Sequence, residues 1–260
     1  MPGQLESALR AARDRGRKLL VPYVTGGLGD DWADVLRAVA AAGADAIEVG
    51  VPFSDPLADG PVIQRATERA LAAGTTLSGV LDLLRTMRDD IAAPVVIFSY
   101  ANPILRLGPE QFADRAREAG VDGVLVLDLP IEEADDFRAM LAARGIDTIL
   151  LLSPTTTDDR LRKAAALGTG FLYAISRLGV TGARDTLAAG AQEMVHRIRA
   201  VSDLPVALGF GFSKPDHVRE VARWADAAVV GSALVDVIAR EGASRDLNTR
   251  VEEYVRWLKS

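Results

Sequence analysis

Two carboxylates, Glu48 and Asp59, bracket the turn-rich end of residues 46–64, AIEVGVPFSDPLADGPVIQ. The stretch opens as a buried strand, yet Glu48 interrupts the apolar run between Ile47 and Val49. Strand side chains alternate, so if Ile47 and Val49 pack against helices, Glu48 points the other way. A buried glutamate is costly unless it has a partner or a task. Two explanations stay open for it: an ion pair at the rim of a sheet, or acid–base chemistry. Asp55 and Asp59 can each be ordinary turn formers among three prolines. Asp-Gly-Pro itself reads as a turn that starts a helix, with Pro61 at its first position. Two carboxylates flanking one loop are nonetheless the equipment of general acid–base catalysis.

Something must hold those side chains in place, and the chain is patterned to do so. Short β-rich apolar runs recur at residues 18–24, 45–50, 94–100, 122–129, 147–153, 170–176, 204–210 and 226–231. Longer amphipathic runs lie between them, such as 31–43, 109–120, 131–145 and 157–168, several ending in Gly as a helix stop. The strands lack clean apolar–polar alternation, as expected when both faces are covered. Eight β-then-α units predict an α/β protein, a (β/α)8 barrel occupying residues 1–260 as one domain. A doubly wound open sheet has the same element order. The first turn, VTGGLGDDW, lacks the full Gly-x-Gly-x-x-Gly pattern of a dinucleotide site, which weakens that alternative. The amphipathic segment before the first strand is expected to cap the barrel floor, and residues 244–260 read as one more surface helix.

Barrel chemistry comes from strand C-termini and the loops after them. Residues 172–190 form a long, glycine-containing stretch suited to a lid that excludes water. After the seventh strand comes GFGFSK and after the eighth VVGSAL, a Gly-Ser opening a helix. Loops seven and eight are where barrels bind phosphate through backbone N–H groups, so the substrate is expected to be a phosphate ester. Tyr23, Phe98, Tyr100, Leu125, Leu151, Tyr173 and Phe210 stand at strand ends. Packing explains each singly; together they suit an aromatic ligand. The histidines, His196 and His217, read as surface residues remote from these loops, and no metal site or cofactor motif is read.

Composition narrows the classes further. The net charge of −6 argues against a nucleic-acid surface, which needs clustered Lys and Arg. With no cysteine there is no disulfide frame or thiolate nucleophile. The N-terminus carries no apolar signal core, and no apolar run approaches a bilayer span. A soluble, cytoplasmic protein is expected.

The motif IEVGVPFSDPLADGPVIQ resembles the signature of the tryptophan synthase alpha chain family. PYVTGG, YANPI, LDLP, SRLGVTG, GFGFS and VVGSAL follow in the family's order over essentially the whole chain. The resemblance implies a (β/α)8 lyase that cleaves indole-3-glycerol phosphate to indole and glyceraldehyde 3-phosphate, a retro-aldol reaction without a cofactor. It implies that Glu48 is the acid–base residue and that Asp59 hydrogen-bonds the indole N–H and stabilises charge on the ring. Thr181 and Gly182 match the lid motif, and Gly182, Gly211, Gly231 and Ser232 the phosphate-binding positions. The aromatic positions above match the indole pocket. Asp55, Pro56, Asn102 and Pro130 match positions that face the pyridoxal-phosphate beta chain of an alpha2-beta2 heterotetramer. A stand-alone lyase that releases free indole, and a catalytically silent activator of a beta chain, remain as alternatives. One departure stands out: the family's Gly-Asp-Pro after the first strand is replaced by GGLGDDW, which is expected to loosen or reshape that loop.

Overall fold

The computed structural model describes residues 3–175, 190–209, 211–242 and 244–260. Eight parallel strands close into a barrel: β1 (Leu19–Thr25), β2 (Ile47–Gly50), β3 (Val95–Ser99), β4 (Gly123–Val126), β5 (Asp147–Leu152), β6 (Leu172–Ile175), β7 (Val206–Gly209) and β8 (Ala227–Val230). Closure is made by β1 pairing with β8, Leu19 opposite Ala227 through Pro22 opposite Val230. This decides between the two architectures the sequence left open, because an open sheet has two unpaired edges and this one has none.

Helix α1 (Gln4–Asp14) precedes the first strand. Then come α2 (Trp32–Ala41), α3 (Pro61–Ala72), α4 (Leu77–Met87), α5 (Ala101–Leu107) and α6 (Pro109–Glu118). After these follow α7 (Asp135–Ala142), α8 (Asp158–Leu167), α9 (Ala191–Arg199), α10 (Pro215–Val221), α11 (Ser232–Glu241) and α12 (Leu247–Leu258). Pro61 does begin α3, as the Asp-Gly-Pro turn predicts. The run at 131–145 becomes helical only from Asp135; its first residues form a turn that follows β4.

The core has two parts. The larger lies between strands and helices. The smaller fills the barrel, where Leu5, Leu9 and Ala12 of α1 pack with Val21, Val96, Leu125, Ile149 and Phe171. The N-terminal segment therefore does plug the floor. Each of four strand-initiating aspartates ties that floor to a neighbouring segment. Asp45 accepts from Leu20 N at 2.9 Å, Asp122 from Val95 N at 2.8 Å, Asp147 from Glu6 N at 3.2 Å and Asp226 from Val206 N at 2.7 Å. Three also take a cation: Arg17 and Lys259 on Asp45, Arg88 on Asp122, and Arg199 on Asp226. Charge placed at this end stabilises the barrel and leaves the opposite end free for chemistry.

The loop after β1 is well packed. Gly27 and Gly29 both take positive φ, a conformation that disfavours side chains. Between them Leu28 is tucked inside, 3% exposed. No helix among the described residues is long and apolar enough to cross a membrane.

Candidate active site

Glu48 sits in the middle of β2, opposite Tyr23 of β1 and Val96 of β3. Both neighbours on its own strand, Ile47 and Val49, belong to the outer core, so alternation turns Glu48 into the barrel. It is 0% exposed. Neither of its carboxylate oxygens has a hydrogen-bond partner among the described residues. The rim ion pair allowed by the sequence is therefore not what holds it. Burial removes water from the charged form and pushes its pKa up to about 8.

Asp59 lies on the loop after β2 and is 7% exposed. Its carboxylate accepts a hydrogen bond from the Tyr100 hydroxyl at 3.2 Å, and that hydroxyl accepts one from Ala58 N at 3.0 Å. Gln64 of α3 donates to Asp59 O at 2.9 Å, so the loop is pinned from both sides. Burial raises the Asp59 pKa to about 6, opposed by the Tyr100 hydrogen bond, which favours the anion. The two carboxylates thus occupy different environments, one dry and unpartnered, the other hydrogen-bonded. The sequence grouped Tyr100 with the apolar wall; its hydroxyl also orients a carboxylate.

Around them stand the predicted ring contacts. Tyr23 meets Phe98 edge to face, centroids 5.3 Å apart at 79°. Tyr173 lies inward on β6, its hydroxyl 2.5 Å from where a side chain at Gly209 would begin. Burial raises the Tyr23 and Tyr173 pKa values well above the ordinary one, so both stay protonated. Leu125 is fully buried within the barrel. A cavity of about 300 Å³ lies to one side, between the ends of β4 and β5 and helix α8, lined by Leu127, Leu151, Ser153, Arg160 and Ala164; neither Glu48 nor Asp59 borders it.

Gly211 follows β7 with φ +52°, a backbone setting that suits glycine. Gly231 precedes α11, and Ser232 is its first, buried residue. His217 corrects the sequence reading, which put it on the surface far from these loops. It is 7% exposed, and its Nδ1 accepts from Ser213 N at 3.3 Å. It also packs on Phe212, so it braces the loop after β7. Thr181, Gly182 and Phe210 lie outside the described residues. Asp55, Asn102 and Pro130 are exposed and Pro56 half-buried, on the loops and helix after β2, β3 and β4.

A buried acid on the second strand, a hydrogen-bonded aspartate on the next loop and glycines after the last two strands form one arrangement. The same chain, at residues 9–260, matches the family described as tryptophan synthase alpha chain. The tryptophan synthase alpha chain of Solibacter usitatus is 45% identical over 245 residues, covering 94% of this chain and 92% of that one. The chain belongs to the tryptophan synthase alpha chain family.

Solved structures agree with that membership. A Mycobacterium tuberculosis tryptophan synthase superposes with a TM-score of 0.91 at 35% identity, covering 100% of this chain and 98% of that one. A structure of the tryptophan synthase a2b2 complex from Pyrococcus furiosus matches with a TM-score of 0.86 at 37% identity, covering 93% and 98%. As an alpha chain, this protein is a lyase of tryptophan biosynthesis built on a TIM barrel.

Proposed function

We propose that Glu48 and Asp59 carry the alpha-chain reaction, cleavage of indole-3-glycerol phosphate to indole and glyceraldehyde 3-phosphate. The single observation behind this reading is the Glu48 carboxyl group, fully buried in the barrel with both oxygens unpartnered among the described residues. A buried polar group with no partner calls for another explanation, and a ligand supplies one. At neutral pH Glu48 is chiefly protonated, since its pKa is raised to about 8. It first gives that proton to indole C3, which makes the ring cationic. Asp59, ionised above its pKa of about 6, takes the ring N–H as a hydrogen-bond donor and offsets the charge. The Glu48 carboxylate then removes the proton from the side-chain hydroxyl. The carbon–carbon bond breaks, its electron pair returns to the ring, the aldehyde forms, and Glu48 is again protonated.

Tyr23, Phe98, Tyr100, Leu125, Leu151, Tyr173 and Phe210 enclose the indole in this reading. Gly182, Gly211, Gly231 and Ser232 hold the phosphate, and Thr181 on the lid orients Asp59 when the site closes. The chain acts as one domain, residues 1–260, in the cytoplasm. Its partner is a beta chain, docked on Asp55, Pro56, Asn102 and Pro130. Two large apolar side chains beside these positions support that face: Leu57 is 90% exposed and Leu105 65%. Exposed apolar groups on such a patch favour a covering surface.

Indole release from indole-3-glycerol phosphate, with and without a beta chain, tests the reading. Glu48→Gln should retain substrate affinity and lose about 100-fold or more in rate. Near-normal turnover would remove Glu48 from the chemistry. Strong stimulation by the beta chain supports the subunit role. Rapid turnover without it would instead identify a stand-alone lyase, and no indole from the wild type under either condition would identify a silent activator.

A further inference from the structure

Among the described residues, the buried side-chain atoms without a hydrogen bond belong to Thr25, Glu48 and Asn248. Asn248 is on α12, outside the barrel. The other two residues lie on adjacent strands. In the β1–β2 ladder Tyr23 stands opposite Glu48, and Thr25 opposite Gly50. Strand alternation turns all four positions into the barrel. Glu48 offers two acceptors with no donor, and Thr25 a donor with no acceptor.

The Tyr23 hydroxyl lies over Gly50, the residue opposite Thr25 and two beyond Glu48 on β2. Gly50 has no side chain, and Tyr23 Oη is 1.9 Å from where its Cβ would stand. The phenol therefore crosses from β1 to β2 through space that any other residue at position 50 would fill. Thr25's hydroxyl is beside it, and Phe98 packs edge to face on its ring. With 5% exposure it has little access to water.

We propose that Tyr23 and Thr25 are positioning residues for Glu48: when Glu48 gives up its proton, Tyr23 donates to the carboxylate and Thr25 donates to the Tyr23 oxygen. This rests on the acid–base reading of Glu48. No bond to carbon is made or broken by either hydroxyl, and no proton leaves them. In the resting state Glu48 is neutral, and neither hydroxyl is bonded to it. In the transition state a carboxylate develops in a dry site, and a donor already in place needs no reorganisation. The other titratable groups that act on this cluster are Asp59 from the loop after β2, Tyr100 after β3 and Tyr173 on β6. None of these three occupies the gap over Gly50.

Indole formation should be followed from pH 6 to 9.5 in Tyr23→Phe, Thr25→Val, Thr25→Ser and Glu48→Gln, each as the full chain. Removing a donor to the anion weakens Glu48 as an acid. Tyr23→Phe and Thr25→Val should each lower kcat about tenfold at pH 7 while KM changes less than about twofold. The high-pH fall in kcat should move upward by about one pH unit, a tenfold change in acid dissociation. The double variant should be no slower than Tyr23→Phe alone, because the two act as a unit. Thr25→Ser keeps the hydroxyl and should restore both kcat and the limb. If Tyr23→Phe melts early, Thr25→Val against Thr25→Ser carries the comparison. Wild-type kcat and limb in Thr25→Val, or a raised KM with unchanged kcat in Tyr23→Phe, would overturn the proposal. Loss of activity in Glu48→Gln beside such a result would reject the hydroxyl pair alone; an active Glu48→Gln would reject the acid–base reading itself.

Discussion

Replacing Glu48 by Gln should make the protein more stable as it slows turnover, and the gain should depend on pH. In the folded chain burial raises the Glu48 pKa to about 8, against an ordinary value of 4.5. The fold therefore favours the protonated form. Its stabilising effect is fully present below pH 4.5 and is lost progressively as pH rises to 8. At pH 7 the unfolded chain is ionised at this residue, and refolding must restore the proton or bury the charge. With about 1.4 kcal/mol per pKa unit, the 2.5 units between pH 4.5 and 7 cost about 3 kcal/mol. Above pH 8 the cost levels off at roughly 5 kcal/mol. Glutamine has nearly the shape of protonated glutamate and cannot ionise, so it removes this cost. For a chain of this size, about 3 kcal/mol corresponds to a rise in Tm of roughly 6–12 °C. Equilibrium denaturation of both proteins at pH 4.5, 6, 7 and 8.5 measures the difference directly. The two curves should coincide at the lowest pH and separate steadily. A constant difference, or a less stable variant at pH 8.5, would show that Glu48 is not a dry, unpartnered acid.

Three further outcomes follow from the same geometry. The rate of indole formation should be bell-shaped in pH, rising through about 6 as Asp59 ionises and falling through about 8 as Glu48 does; a profile flat from pH 5 to 9 would contradict both assignments. Tyr100→Phe removes the hydrogen bond that favours the Asp59 anion, so the rising limb should shift upward and the rate at pH 6 drop about tenfold, with much of the loss recovered at pH 7.5. Asp122→Ala should leave kcat and KM intact but cost about 3 kcal/mol in denaturation, because Arg88 and Val95 N lose a buried partner.

The residues themselves announced a great deal. Eight apolar runs separated by amphipathic ones give the number and order of the strands, because burial and helical periodicity act over short spans, but not that the stretches after β2 and β3 would each divide into two helices. Asp-Gly-Pro set the start of α3 for the same local reason, and a charge inside an apolar strand marked Glu48 as exceptional. Other features needed the folded chain. Closure by β1 against β8 joins strands some 200 residues apart, and nothing in either strand encodes an open or closed sheet. Asp59 acquires Tyr100 as its partner across 41 residues. His217 looked like a surface residue until the loop after β7 folded over it. The alternation of β2 said which way Glu48 points but not whether a counter-ion awaited it. Only the packed barrel removed water, and every hydrogen-bond partner among the described residues, from that carboxylate, and desolvation, a property of the whole surrounding structure, is what makes an ordinary glutamate an acid at neutral pH.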